Sequence, residues 1–187
     1  MVRKKREWYI GAKYHIMCRG NHRNDLFRDR EDYQVFLNIL KKVKEKLEYE
    51  IYCYCLMTNH IHMVIETKEI SIGNIMKRIN MLYSIYFNKK YNLIGHLFQD
   101  RYRSELIEED KYILGVSRYI HLNPVRANMV KKPEDYKWSS YSMIIGLYKE
   151  KIINSQKILI YFKTKERYRK FVESGIKNKM REDEDVI

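Results

Sequence analysis

The spacing of hydrophobic and polar residues changes along the chain and predicts a succession of strands and helices. Residues 13–18 alternate between polar and apolar side chains, which is the period of a strand with one buried face. From Asp29 onward, apolar residues recur every three or four positions, which predicts a first helix with Asp29 as its N-cap. Residues 50–57 and 61–66 are rich in β-branched and aromatic side chains and are joined by a tight Thr-Asn connection, which predicts a hairpin.

The middle of the chain continues with a helix, a strand and another helix. Ser71 is placed to cap a second, apolar-striped helix, and residues 97–107 fit a fourth strand. Asp110 is expected to cap a third helix that ends just before Pro124, because proline disfavours the helical conformation in the residue preceding it. The order β-α-β-β-α-β followed by a helix predicts an α+β fold: a ferredoxin-like sandwich, with an antiparallel sheet covered by helices on one face.

Composition narrows the class of protein. The 187 residues suit one domain with an extension, and 45% hydrophobic with 33% charged residues excludes both a disordered chain and a membrane protein. No apolar run reaches the roughly 18 residues of a membrane-spanning helix. The three cysteines (Cys18, Cys53 and Cys55) form no CxxC pair, which is typical of a reducing compartment, so we expect a cytoplasmic protein.

The charge of the chain points to a polyanionic partner. The formal net charge is +13, and several of the 17 tyrosines are interleaved with lysine and arginine, as in residues 83–91 and 101–103. Cations neutralise phosphates, and exposed rings stack on unpaired bases, so this pattern favours a single-stranded nucleic acid. The basic start, residues 3–6, is expected to be an arm that contacts the nucleic-acid backbone.

Two histidines, a tyrosine and an asparagine are candidates for chemistry. His60 and His62 lie two positions apart on the predicted third strand, so both imidazoles project from one face and can converge on a divalent ion. Asn123 follows Tyr119 by one turn on the third helix. If that helix packs over the third strand, Asn123 is a third ligand and the Tyr119 phenol a nucleophile. The spacing alone fits equally well two hydrogen-bonded surface histidines, a boundary ring and a helix end.

A mixed set of imidazole and amide ligands with open positions suits Mg²⁺ or Mn²⁺ beside a phosphate. Both histidines must be neutral to bind the ion. A metal-dependent activity is therefore expected to weaken below their unperturbed pKa of about 6.5.

Three blocks of sequence connect these residues to a known family. They are residues 54–62 (YCLMTNHIH), 95–102 (GHLFQDRY) and 119–127 (YIHLNPVRA). In this order they resemble the single-tyrosine HUH transposases of small insertion sequences, and most closely the REP-associated tyrosine transposases. Shorter segments at 19–23 and 138–141 also fit, so the resemblance extends over roughly residues 8–145.

The resemblance implies an enzyme that cuts single-stranded DNA beside a hairpin and rejoins it. It carries over His60 and His62 as metal ligands and Tyr119 as the nucleophile, and it suggests Asn123 as third ligand, where relatives often have glutamine. Cleavage would leave a 5′-phosphotyrosine and a free 3′-OH, and joining would reverse the same transesterification.

The resemblance also divides the chain and bears on its assembly. Residues 1–145 become the HUH transposase catalytic domain, and residues 146–187 a C-terminal helical extension with an acidic tail. Small insertion-sequence relatives imply a homodimer and REP-associated relatives a monomer; we expect the homodimer. The residues expected to contact DNA are Arg19, Arg23, Gln99, Arg101, Arg103 and Arg126.

Other interpretations stay open at this point. A ferredoxin-like sheet with exposed aromatic residues is also typical of RNA-binding or single-stranded-DNA-binding modules without catalysis. A metal-dependent phosphodiesterase would use water and form no covalent adduct. A zinc site of Cys53, Cys55 and the two histidines is a further interpretation, although paired thiols on a strand more often pack as small hydrophobic residues. His121 is left out, because two residues along a helix turn it away from Tyr119.

Overall fold

In this computed structural model, which describes residues 7–148 and 152–184, the elements follow the predicted order. The strands are β1 (Lys13–Arg19), β2 (Glu50–Met57), β3 (His60–Glu66) and β4 (Arg103–Leu106). The helices are α1 (Arg30–Leu47), α2 (Ile72–Tyr91), α3 (Asp110–Arg126), α4 (Tyr141–Ile144), α5 (Gln156–Leu159) and α6 (Lys165–Glu184), with 3₁₀ turns at Asn21–Arg23 and Pro133–Asp135. The predicted basic arm, residues 3–6, lies outside the described residues.

The four strands form an antiparallel sheet in the order β2-β3-β1-β4, which confirms the predicted α+β, ferredoxin-like arrangement. In its centre β1 pairs with β3, so that Arg19 lies opposite His60 and Met17 opposite His62. On its other side β1 pairs with β4, which sets His15 opposite Glu105. Residues directly opposite each other on neighbouring strands share a face of the sheet, so His15, His60 and His62 project from the same side.

Helices cover both faces of the sheet, whereas the sequence predicted cover on one. α1 and α2 pack against each other, and Asn80 of α2 contacts Cys18 on the face opposite the histidines. α3 packs against β2 and β3, and its Tyr119 lies against His62 on the histidine face. The reason is visible in β2, where every residue from 51 to 57 is buried, so that both faces of the sheet need an apolar cover.

The capping residues of the first two helices were predicted correctly. Asp29 caps α1 in a reciprocal capping box with Asp32, and Ser71 accepts a hydrogen bond from the backbone N–H of Asn74 at the start of α2. The predicted cap of the third helix is wrong by one residue: Asp110 is already the first residue of α3, and the N-cap position is occupied by Glu109.

Two predicted boundaries are wrong. Pro124 lies inside α3, which continues to Arg126. The buried side chains of Ile120 and Leu122 pack this last turn against the core. A proline so near the end of a helix costs only one hydrogen bond of the last turn. The fourth strand is also shorter than residues 97–107. Residues 97–99 bond to the end of β1 and the turn after it, and only Arg103–Leu106 forms the regular ladder.

The C-terminal helix packs on the back of α3. His121 of α3 is fully buried, and its two ring nitrogens lie 2.7 Å from the Tyr168 hydroxyl of α6 and 2.9 Å from the Ser140 hydroxyl. The guanidinium of Arg118 stacks over the Phe171 ring at 4.5 Å. The predicted helical extension is therefore present in the structure and supports the helix that carries Tyr119. None of the helices in the described part of the chain has the length and apolar character needed to cross a membrane.

Candidate active site

The predicted catalytic and metal-binding residues meet between β3 and α3. The Tyr119 ring stands perpendicular to the His62 ring, with 5.4 Å between their centroids, and His60 and His62 are perpendicular at 5.1 Å. His62 is buried, whereas Tyr119 is 40% exposed. A partly exposed tyrosine ring thus packs against His62, which in turn contacts His60.

Hydrogen bonds leave one particular nitrogen of His60 available. Nδ1 of His60 lies 2.7 Å from Oδ1 of Asn59, and Nδ2 of Asn59 donates to the Arg23 carbonyl at 3.2 Å. That second bond orients the Asn59 amide so that its oxygen faces His60. An amide oxygen can only accept, so the His60 proton belongs on Nδ1, and the lone pair on Nε2 is left for another ligand.

Asn123 also presents an oxygen to this region. Its Nδ2 donates to the Tyr119 carbonyl at 2.9 Å, one turn back along α3. The amide oxygen is therefore free of that bond, and the Asn123 side chain lies near enough to His60 to favour the protonated form of its ring. Asn123 thus links the backbone of the candidate nucleophile to a candidate ligand.

His15 is a site residue that the sequence analysis missed. Its Nε2 lies 3.1 Å from Nδ1 of His62, its ring stacks on that of His62, and its ring centroid lies 6.1 Å from that of Tyr119. The alternation along β1 could have shown that His15 shares one face of the strand with Lys13, Met17 and Arg19. Strand pairing was needed to show which other histidine that face would meet.

The site disfavours protonated histidines. Burial, together with the positive fields of His60, His15 and Arg19, lowers the pKa of His62 to about 3. Burial and the charge of Arg19 also lower the pKa of His60, although a hydrogen bond from the protonated ring to Asn123 opposes this shift. Both imidazoles therefore stay neutral at a pH below their ordinary pKa of about 6.5, and His62 does so down to about pH 3. The sequence led us to expect that metal binding weakens as the pH falls below about 6.5. Because the pKa values are lowered, the weakening is now expected at lower pH.

The donor atoms fit a hard divalent ion. Among the residues whose side chains the structure describes, no three His, Cys, Asp or Glu residues group to hold a metal. An ion here would depend on two imidazole nitrogens and the Asn123 oxygen, with water or phosphate oxygens as further ligands, which suits Mg²⁺ or Mn²⁺. The zinc alternative is not supported, because Cys53 and Cys55 are fully buried and burial raises the pKa of both thiols.

Most of the predicted DNA-contacting residues lie near the site. The Arg126 guanidinium is 5.4 Å from the centroid of the Tyr119 ring. A shallow cleft at the end of β1 is lined by Met17, Arg19, Gln99, Asp100, Arg101 and Arg103. The backbone carbonyl of Arg23 accepts the hydrogen bond that orients Asn59. His121 points away from Tyr119 into the contact with α6, in agreement with its omission from the predicted site.

Comparisons with known proteins find a family to which the sequence is similar. Residues 9–123 match the family described as "Transposase IS200 like". A Haemophilus influenzae protein named "Putative REP-associated tyrosine transposase" is 29% identical over 119 residues, which are 57% of this chain and 66% of that protein. The chain thus spans slightly less than two thirds of this curated relative.

A solved structure of a REP-associated tyrosine transposase bound to a REP hairpin has a similar fold. The TM-score is 0.67 at 22% identity, over 79% of this chain and 88% of the other. The antiparallel sheet and its helices therefore have a counterpart in a transposase.

Proposed function

Because this chain belongs to the IS200-like transposase family, we propose that it cleaves and rejoins single-stranded DNA through a covalent bond to Tyr119. The observation that carries the proposal is the exposed phenol of Tyr119, perpendicular to the buried His62 at 5.4 Å. A nucleophile must be accessible and must lie beside groups that stabilise charge on the phosphate. In support of the proposal, Tyr119 is 40% exposed, and His62 and Arg126 lie beside its ring.

The reaction is a pair of transesterifications. The Tyr119 oxygen attacks the scissile phosphorus and loses its proton, while the bond from phosphorus to the 3′ oxygen breaks and that oxygen takes up a proton. The products are a 5′-phosphotyrosine and a free 3′-OH. In the reverse step a 3′-OH attacks the phosphotyrosine and releases the phenol, so joining needs no external source of energy.

The surrounding residues orient the reactants and balance charge. Arg126, which lies over the Tyr119 ring, is placed to stabilise the phenolate and to contact a phosphate. His60, His62 and Asn123 would hold the divalent ion, which when bound supplies positive charge to the scissile phosphate. Asn59 keeps His60 in the tautomer that ligation requires.

A single strand that carries a hairpin is the proposed substrate. The net charge of +13 and the cleft of Arg19, Arg101 and Arg103 support binding to a phosphate backbone. A hairpin is what the solved transposase of similar fold binds, and we extend that substrate class to this chain as part of the proposal.

We assign catalysis to residues 1–145 and a supporting role to residues 146–187. The support for this division is the contact of α6 with α3 through Tyr168 and His121, since it fixes the helix that carries Tyr119. The homodimer and the cytoplasmic location expected from sequence stay predictions; sedimentation of the purified protein with and without hairpin DNA tests the former.

A denaturing gel separates this function from its alternatives. The protein is mixed with Mn²⁺ and a hairpin oligonucleotide labelled so that the label lies 3′ of the cleavage site. A transposase of this mechanism becomes covalently labelled. A phosphodiesterase that uses water gives cut DNA without an adduct, and a binding module leaves the DNA intact; either result would refute the proposal.

A further inference from the structure

His15 has a place in the site that the proposed mechanism does not use. It lies on β1 between His62 of β3 and Glu105 of β4, and its side chain is only 14% exposed. Its ring stacks on His62, with centroids 5.3 Å apart and 24° between the planes, and its Nε2 is 3.1 Å from Nδ1 of His62. On its other side, Nδ1 of His15 is 3.8 Å from the Glu105 carboxylate.

The two neighbouring imidazoles can share a proton in two ways. In the first, Nδ1–H of His62 donates to Nε2 of His15, and the His15 proton, on Nδ1, faces Glu105. In the second, Nε2–H of His15 donates to His62, and a bare nitrogen lone pair of His15 faces the carboxylate. The second arrangement sets two electron-rich groups against each other. Glu105 therefore favours the first arrangement, although its 81% exposure allows water to screen its charge.

The first arrangement frees the nitrogen that a metal ion needs. With its proton on Nδ1, His62 has a lone pair on Nε2; with the proton on Nε2, it cannot ligate through that atom. His60 is held in the same tautomer by Asn59. Each candidate ligand thus has a neighbour that favours the Nδ1-protonated tautomer: the Asn59 amide for His60, and His15 for His62. Groups that hold a metal-binding histidine in this way commonly change metal affinity about 10–100-fold when removed.

We propose that His15 is a positioning residue that holds His62 in the Nδ1-protonated tautomer and thereby sets the affinity of the site for a divalent cation. The inference rests on the proposed function, because it takes His62 as a ligand. It is independent of that function in one respect: the tautomer of His62 is a property of the metal-free protein.

Two substitutions separate the hydrogen bond from packing. His15→Phe keeps a ring of similar size in the stack and removes the acceptor for His62. His15→Gln keeps an acceptor, the side-chain amide oxygen, and removes the ring. Thermal melting of both variants shows that they are folded before either is assayed.

The test measures two quantities, the ring ¹⁵N shifts of His62 by NMR in metal-free protein and the Kd for Mn²⁺ by calorimetry. Wild-type protein and His15→Gln should show His62 protonated on Nδ1 and similar Kd values. His15→Phe should move the proton to Nε2 and weaken Mn²⁺ binding about 10–100-fold.

A His62 that stays Nδ1-protonated in folded His15→Phe protein would overturn the proposal. So would unchanged Mn²⁺ affinity in that variant. If His15→Gln keeps the wild-type tautomer yet loses affinity as His15→Phe does, His15 binds the ion directly, and the positioning role is also overturned. If wild-type protein binds no Mn²⁺, the metal-assisted function fails, while the shifts still decide whether His15 sets the tautomer.

Discussion

The Tyr119 phenol lies edge-to-face against the His62 imidazole, with a centroid separation of 5.4 Å. This contact joins the helix of the candidate nucleophile to the strand of the candidate metal ligands. A reacting phosphate bound here would meet the phenol and the imidazole pair at once.

Removal of a candidate ligand should abolish metal-dependent cleavage. His60→Ala and His62→Ala should each lower the rate of Mn²⁺-dependent cleavage at least about 100-fold, because each removes one of the two candidate imidazole ligands. Asn123→Ala should weaken Mn²⁺ binding in calorimetry. Asn123→Gln is the matched control and should retain activity within about tenfold, because it keeps the amide oxygen. Full cleavage by His60→Ala in excess chelator would exclude the metal site.

Stability should fall as the pH is lowered. Burial, together with neighbouring positive groups for His62, lowers the pKa of His62 and of His121 to about 3, whereas both residues titrate near 6.5 in an unfolded chain. The unfolded chain therefore binds more protons in this range. The contribution of each histidine to the free energy of unfolding is fully present above about pH 6.5. As the pH falls toward 3, each histidine loses up to about 1.4 kcal/mol of this contribution per pH unit.

Urea unfolding at pH 7 and pH 5 measures this effect. His121→Gln should make the free energy of unfolding less dependent on pH than it is in the wild type. A pH dependence that His121→Gln does not reduce would show that His121 takes up its proton as easily in the folded protein as in the unfolded chain.

Local patterns predicted the strands and helix caps because they depend on residues close in sequence. The alternation in β1 and the Asp29 cap are of this kind. Pro124 was misjudged, because the packing of Ile120 and Leu122 on the core outweighs a local preference. His60, His62 and Tyr119 were identified from spacing and family resemblance. His15 was not, because its role depends on which strands lie beside β1.

Salt dependence should reveal which arginines contact DNA. Arg101→Gln and Arg103→Gln each remove one charge from the cleft at the end of β1, and each should reduce the slope of log K against log salt by roughly 1. Lys42→Gln on α1 removes the same charge on the opposite face of the sheet and should leave the slope unchanged. Fluorescence anisotropy with a hairpin-bearing single strand measures the slopes. Tighter binding to a plain duplex of the same sequence would contradict the proposed substrate.

The contact between α6 and α3 should be measurable as stability. Tyr168→Phe removes the hydroxyl that lies 2.7 Å from His121 and leaves a buried ring nitrogen without its partner. The expected cost is about 1–2 kcal/mol in the free energy of unfolding. Tyr148→Phe removes the same atom from an exposed ring and should cost much less. Equal stability of the two variants would show that the buried hydrogen bond contributes little to fixing α3.

The nucleophile can be tested with one pair of substitutions on one helix. Tyr119→Phe and Tyr112→Phe each remove a hydroxyl from a tyrosine of α3 that is at least 40% exposed, so both proteins should fold and bind hairpin DNA as the wild type does. Only the first removes the hydroxyl of a ring that packs against His62.

The decisive measurement is the amount of protein–DNA adduct on a denaturing gel, with Mn²⁺ and an oligonucleotide labelled 3′ of the cleavage site. We predict that wild-type protein and Tyr112→Phe form the adduct and that folded Tyr119→Phe forms none, because the attacking oxygen is gone. An adduct formed by Tyr119→Phe would show that another residue attacks the phosphate, and wild-type cleavage without an adduct would contradict the covalent mechanism.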